Sequence, residues 1–131
     1  KTLEAAIEFA KEGDVITLLQ TIVIAEGANY ELDLKGKTLD ASLVEYAIEN
    51  NGVLTIKDSG DTGKIFGYVY AAAGAKTTIN GGTYNALQGG DFVIMNTGEL
   101  TINKAVVNGG STYPIYNYNA GAKLVINDVL Q

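Results

Sequence analysis

The stretch that decides the fold is Glu99-Leu100-Thr101-Ile102-Asn103, because close copies of it occur at four other places in the chain. The copies lie at residues 31–35, 53–57, 76–80 and 123–127. Their fourth residues are spaced by 22, 23, 23 and 24 positions, and they are Leu34, Ile56, Ile79, Ile102 and Ile126. A regular period of about 23 residues is typical of a solenoid, in which each repeat forms one coil.

Each period contains three short apolar stretches with a two-residue alternation, which is the pattern of β-strands rather than helices. In one coil these stretches are residues 77–79, 83–85 and 92–95. Four of the five copies follow a turn glycine, namely Gly52, Gly74, Gly98 and Gly121. Stacked coils pair their backbone groups as parallel strands and enclose a core that one coil cannot bury alone. We therefore predict an all-β parallel β-helix of about five to six coils, with three strands per coil.

The alternation also predicts which side chains face the core. On the first strand of each coil, the fourth residues of the repeat form one interior row, while Thr55, Thr78 and Thr101 point outward. On the third strand, counting back from the turn glycines predicts an interior column of Tyr46, Tyr68, Phe92 and Tyr113, and a second one of Ile48, Tyr70, Ile94 and Ile115. Interior aliphatic side chains in such rows are expected to dominate stability, at about 1.5–3 kcal/mol each.

The same count from the turn glycines predicts an exposed apolar cluster on the third face. Val69, Val93 and Pro114 point outward in one column, with Met95, Tyr116 and Tyr118 beside them. Exposed aromatic and methionine side chains are typical of partner surfaces and sugar-binding platforms. We therefore predict a binding site at Val93, Met95, Tyr116 and Tyr118. A register shift of one residue would instead bury these side chains and expose the Tyr46 column.

The first dozen residues have a helical pattern. Leu3, Ala6 and Ile7 recur at helical spacing, with Thr2 as the N-cap and Gly13 as the stop. We predict a capping helix over residues 1–13 that covers the edge of the first coil, followed by β-helix coils over 14–131. Together they form a single domain, 1–131. Because the chain has no initiator Met and stops soon after a strand, we expect it to be a piece of a longer protein.

Several of these segments resemble a known family. They are the opening helix leading into residues 13–18, and then residues 32–39, 51–58, 62–65 and 79–84. The chain resembles the right-handed parallel β-helices of the pectate-lyase-like superfamily, and in particular the repetitive kind found in exported bacterial surface proteins. The resemblance implies a right-handed winding and a secreted or cell-surface location. It implies no particular activity, because one fold serves many functions.

The composition excludes several classes of function. The chain has no His, Cys, Trp or Arg, which excludes histidine-based catalysis, thiol nucleophiles and the usual zinc sites. Its net charge of −6 repels nucleic acid, and it contains no apolar run of the length needed to cross a membrane. We expect no cofactor, no nucleic-acid partner and no membrane insertion.

Two groups of residues are weak candidates for chemistry. Lys57 or Lys64 could act as the base of a polysaccharide lyase only if burial lowered its pKa, and outward Asp33 has no second carboxylate stacked beside it. The stretch 58–63 has oxygen ligands that suggest calcium, but it lacks the further acids of a calcium loop, so a surface turn is favoured. We predict no catalytic residue and no metal site. Asn80, Asn103 and Asn127 share one repeat position, which predicts a hydrogen-bonded amide ladder.

These observations favour a non-catalytic β-helical module of a bacterial surface or secreted protein, acting as an adhesive platform or structural spacer. Its expected partner is a glycan or a host surface protein. The uncapped last coil also predicts end-to-end self-association, because exposed strand edges pair with other chains. Two alternatives stay open: a fragment of a polysaccharide lyase or glycoside hydrolase, and a phage or fibre stalk.

Overall fold

The computed structural model describes residues 2–109 and 113–130. Lys1 and Gln131, the two ends of the predicted domain, lie outside these ranges. The described residues form one short helix followed by sixteen short strands. The helix, α1, spans Leu3–Phe9.

The strands follow one another in groups of three, and each group makes one coil. Coil 1 contains β1 (Val15–Thr17), β2 (Ile22–Ile24) and β3 (Asn29–Asp33). Coil 2 contains β4 (Thr38–Asp40), β5 (Ile48–Asn50) and β6 (Val53–Lys57). Coil 3 contains β7 (Lys64–Phe66), β8 (Val69–Ala71) and β9 (Lys76–Ile79). Coil 4 contains β10 (Thr83–Asn85), β11 (Ile94–Asn96) and β12 (Glu99–Ile102). Coil 5 contains β13 (Ala105–Asn108), β14 (Ile115–Asn117) and β15 (Lys123–Ile126), and β16 (Val129–Leu130) begins the next coil.

Equivalent strands of successive coils pair in parallel and build three sheets. Sheet A has the order β1-β4-β7-β10-β13-β16, sheet B has β2-β5-β8-β11-β14, and sheet C has β3-β6-β9-β12-β15. Every pairing is between a coil and the next one, three strands further along the chain. This arrangement is a right-handed parallel β-helix of about five coils with a helical cap, which confirms the predicted fold class.

The interior of sheet C confirms most of the predicted row and corrects its first member. Ile56, Ile79 and Ile102 are in register and fully buried. The residue paired with Ile56 is Leu32, so the prediction that Leu34 begins this row is wrong. Leu34 is nevertheless fully buried, beyond the end of β3, where it packs beside Gly63. The repeat in coil 1 is therefore two residues out of step with the sequence copies that identified it.

The capping helix is shorter than predicted but uses the predicted cap and face. The Thr2 hydroxyl accepts a hydrogen bond from Ala5 N at 3.1 Å, and Ile7 is buried. The helix ends at Phe9 with an extended Ala10, so the prediction that Gly13 terminates it is wrong. Gly13 has a φ of 86° and lies in the separate turn that leads into β1. The helix covers only part of coil 1 and leaves a groove of about 880 Å³ beside β2.

Two buried asparagines join neighbouring coils at the turn between sheets B and C. Asn50 Nδ2 donates to Lys76 O at 2.9 Å, and Asn96 Nδ2 donates to Lys123 O at 2.8 Å. The side-chain oxygen of Asn96 also accepts a hydrogen bond from Gly98 N, two residues further on. Among the described residues, no buried side-chain polar atom lacks a partner. The turns are thus fixed by hydrogen bonds as well as by apolar packing.

Candidate functional site

Seven aromatic side chains form a continuous row on the outside of sheet B, which we call the aromatic ribbon. Its members are Tyr46, Tyr68, Tyr70, Phe92, Tyr113, Tyr116 and Tyr118. They come from the strands of coils 2 to 5 and the residues beside those strands. Tyr70 points outward because it is the central residue of β8, whose other two residues are buried, and Tyr116 shares its face because both are in register with Met95. The ribbon therefore runs along the coil axis.

The rings of the ribbon contact one another without a break. Stacked pairs are Tyr46–Tyr70, Tyr68–Phe92 and Tyr113–Tyr116, with ring centroids 5.5, 4.7 and 5.2 Å apart. Edge-on contacts at 6.2 and 5.9 Å connect these pairs, and they are Tyr46–Tyr68 and Phe92–Tyr116. Tyr118 extends the row with a tilted contact to Tyr116 at 5.4 Å. These separations are those at which aromatic pairs attract one another.

The structure corrects part of the predicted exposed cluster. Val93 and Val69 are fully buried, so the prediction that they face solvent is wrong, and Val93 is not available to a ligand. The reason for Val93 is a bulge, since Val93 N and Ile94 N both donate to Pro114 O, at 2.9 and 3.0 Å. Two residues of coil 4 thus oppose one residue of coil 5, which turns two successive side chains inward and breaks the alternation.

The other predicted site residues do lie on the outside of sheet B. Met95 is in register with Tyr70 on one side and Tyr116 on the other, and both Met95 and Tyr116 are half-buried. Tyr118 is 52% exposed, as is Tyr113. The structure therefore brings Met95, Tyr116 and Tyr118 together, whereas Val93 lies beneath them.

The remaining rings of the ribbon were predicted to be interior, and that prediction is wrong. Tyr46, Tyr68 and Phe92 are half-buried on the outer side, Tyr113 is 52% exposed, and Tyr70 projects outward from β8. The sequence did hold a signal for this, because tyrosine favours positions where its hydroxyl reaches water or a polar partner. Valine has no such need. Side-chain chemistry therefore favours the outer side of sheet B for its tyrosines, where strict alternation does not.

Acidic residues accompany the ribbon at its end in coil 2. Burial raises the pKa of the Tyr46 hydroxyl, and the carboxylates of Glu45 and Glu49 raise it further. Glu49 is in register with Tyr70, and its Oε2 accepts a hydrogen bond from Asn51 Nδ2 at 2.9 Å. The ribbon is thus an aromatic surface with negative charge beside it.

The loop at residues 58–63 is organised by its own aspartate. Asp58 Oδ1 accepts a hydrogen bond from Gly36 N at 2.8 Å, and its Oδ2 accepts one from Gly63 N at 2.6 Å. Asp33 Oδ1 likewise accepts from Lys35 N and Ser59 N. These carboxylates connect coils 1 and 2 through backbone amides, which confirms a structured turn. Within the described part of the chain, no three acidic side chains are grouped so that they could hold a metal ion.

The candidate bases are not buried. Lys57 Nζ lies 3.3 Å from Glu31 Oε1, and the Lys57 side chain is about half exposed, so no apolar pocket encloses it. Lys64 is exposed on β7. Asp33 is in register with Lys57, and Glu31 occupies the position beside Thr55.

The predicted amide ladder is present on sheet C. Asn103 Nδ2 donates to Asn80 Oδ1 at 2.8 Å, and Asn127 Nδ2 donates to Asn103 Oδ1 at 2.7 Å. A second ladder, which the sequence reading missed, joins Asn108 to Asn85 at 3.1 Å. Both ladders bond one coil to the next, so their side-chain amides already have partners within the fold.

Comparison with known proteins found no match among protein families, curated proteins or solved structures. Of the helices in residues 2–109 and 113–130, none has the length and apolar character needed to span a membrane. At the last coil described, apolar side chains such as Ile126 and Leu130 are about half or more exposed. The predicted end-to-end self-association through this coil stays a prediction.

Proposed function

We propose that the chain is a non-catalytic adhesive module of the β-helical kind found in bacterial surface proteins, and that its aromatic ribbon binds a linear glycan. The observation that carries this proposal is the unbroken row of seven rings along the coil axis. Strands of successive coils lie about 4.8 Å apart, so three steps from coil 2 to coil 5 give a row about 14 Å long. A long, narrow surface suits an extended polymer better than a compact small molecule.

The chemistry of tyrosine supports a sugar as the ligand. Each ring offers an apolar surface to the C–H face of a sugar, and each hydroxyl offers a hydrogen-bond donor and acceptor to sugar hydroxyls. Six of the eight tyrosines of the chain belong to the ribbon. Tyr113 and Tyr118 are each 52% exposed, and both contact Tyr116.

A structural spacer is the competing function, and the ring contacts themselves favour it. Aromatic pairs contribute about 0.5–1.5 kcal/mol each beyond the area they bury, so the ribbon also stabilises the stack of coils. The two functions differ in one measurable respect, because a spacer needs the rings for stability only, whereas an adhesive module also needs them to hold a ligand.

The test is binding of the chain to linear oligosaccharides, measured by calorimetry with β-1,4-linked hexasaccharides of glucose, N-acetylglucosamine, glucosamine and glucuronic acid. The Tyr116→Ala/Tyr118→Ala double variant should bind about tenfold or more weakly, since it removes two rings that contact the sugar. The Thr78→Ala/Thr101→Ala variant changes the outer face of sheet C and should bind like the parent. Circular dichroism verifies that both variants keep the β-helix.

Two results would overturn the proposal. No binding of any of the four hexasaccharides, or equal binding by the Tyr116→Ala/Tyr118→Ala variant, would leave the ribbon a structural feature only. The release of new reducing ends or unsaturated sugars by the chain would show that it is an enzyme.

A further inference from the structure

The charged side chains on the segments that carry the aromatic ribbon all have one sign. The segments that supply the outer side of sheet B in coils 2 to 5 are residues 41–51, 67–73, 86–97 and 113–119. These segments contain Glu45, Glu49 and Asp91, and they contain no lysine. Because the whole chain has no arginine, no cation is supplied to this surface by its own segments.

Carboxylate and ring surface come together in coils 2 and 3. Glu49 on β5 is in register with Tyr70 on β8, and Tyr70 stacks on Tyr46 with ring centroids 5.5 Å apart. The Asn51 side chain holds the Glu49 carboxylate by a hydrogen bond at 2.9 Å. Glu45 is the residue next to Tyr46 in the chain, so both glutamates belong to the end of the ribbon in coil 2.

An ammonium group is the ligand chemistry that such a surface favours. A cation is attracted to the face of an aromatic ring and, more strongly, to a carboxylate beside it. A uronate or sulfated chain would instead bring its negative charge against glutamates, with no cation from sheet B to pair with it. A neutral chain can donate hydrogen bonds from its hydroxyls to the carboxylates, but it has no charge for them to attract.

We propose that the ribbon selects a glycan that carries free amino groups, a polymer of glucosamine, over neutral and acidic chains of the same backbone. This inference rests on the proposed glycan-binding function and adds the chemical class of the ligand. The ammonium groups of the sugar lie against the Tyr46 and Tyr70 rings and the carboxylates of Glu45 and Glu49, while the remaining rings contact the polymer further along the axis.

The experiment compares the glucosamine hexasaccharide with the glucose hexasaccharide, which differs from it only in the group at C2. Glucosamine should bind about fivefold or more tightly at low salt, and this preference should shrink as salt screens the charges. Glu45→Gln/Glu49→Gln should remove the preference and leave glucose binding unchanged. Glu99→Gln/Asp128→Asn makes the same change in net charge away from sheet B and should keep the preference.

The outcomes separate this inference from the function it rests on. If none of the hexasaccharides binds, the proposed function fails and this inference fails with it. If the chain binds glucose and glucosamine hexasaccharides equally, or if Glu45→Gln/Glu49→Gln keeps the preference, glycan binding stands and the amino-sugar assignment is wrong. Binding of oligolysine at the ribbon as tightly as the glucosamine chain would show that the surface recognises charge alone, and would also overturn the assignment.

Discussion

Substituting Ile79 by alanine tests the stacking of the coils most simply. Ile79 is fully buried in sheet C, between Ile56 in the coil before and Ile102 in the coil after. The change removes three methyl or methylene groups, which at about 0.8 kcal/mol each gives about 2.4 kcal/mol of lost transfer free energy. The cavity left between two fixed neighbours adds to this, so the total loss is expected to reach about 3–4 kcal/mol.

The matched control is Ile126→Ala, the same change in the same row at the last coil described. Ile126 is 48% exposed, so its substitution loses only about half of the transfer free energy and leaves no closed cavity. The expected loss of stability is about 1 kcal/mol. The assay is urea unfolding followed by circular dichroism, with the two variants and the parent fitted to a common slope. Equal losses for the two variants, or a loss below about 1 kcal/mol for Ile79→Ala, would refute the enclosed interior row.

Four further substitutions test individual contacts by the same urea titration. Gly98→Ala should lower the free energy of unfolding by about 3 kcal/mol or more, because its Cβ would lie 2.3 Å from a backbone oxygen. Gly74→Ala would meet nothing within 4 Å and should lose only about 1–2 kcal/mol, because of its positive φ. Equal losses for the two variants would contradict this difference. Asn96→Ala leaves backbone groups of two turns without partners and should cost about 2 kcal/mol or more, and a cost near zero would show that water replaces these bonds. Burial opposes the ionisation of Asp33, but hydrogen bonds from backbone N–H groups outweigh it and hold its pKa below the ordinary value. A carboxylate whose pKa is lower in the folded than in the unfolded protein stabilises the fold above the unfolded pKa, and this stabilisation is lost as the pH falls. Asp33→Asn should therefore be less stable than the parent at pH 7, and the difference should shrink below about pH 4. A difference that stays constant with pH would contradict this reasoning.

The fold could be predicted from the sequence because the same strand pattern recurs once in every coil. Five copies of one strand at a spacing of 22 to 24 residues fix both the coil length and the strand that carries the core row. The error at Leu34 arose because Tyr30, Leu32 and Leu34 alternate along the strand. The alternation therefore fits two registers, in which either Leu32 or Leu34 lies beside Ile56, and the structure pairs Leu32 with it. Only the pairing of backbone groups decides between them.

The site was only partly predictable, because it depends on features that repetition does not encode. The bulge at Val93 adds one residue to the approach to β11. In coil 3, β8 ends three residues before Gly74, whereas β5 and β11 end two residues before Gly52 and Gly98. Each change shifts the alternation by one position and exchanges the inner and outer faces. Met95, Tyr116 and Tyr118 were placed correctly because they lie within or after the strand, beyond the bulge.

The most direct test of the account is an NMR titration of the chain with the glucosamine hexasaccharide, recording backbone amide signals and tyrosine ring signals. We expect shifts at residues 45–49, 68–70, 91–95 and 113–118, beside the aromatic ribbon, and none at the outward threonines of sheet C. Shifts confined to sheet C, or to the groove beside α1, would contradict the claim that the aromatic ribbon is the binding surface.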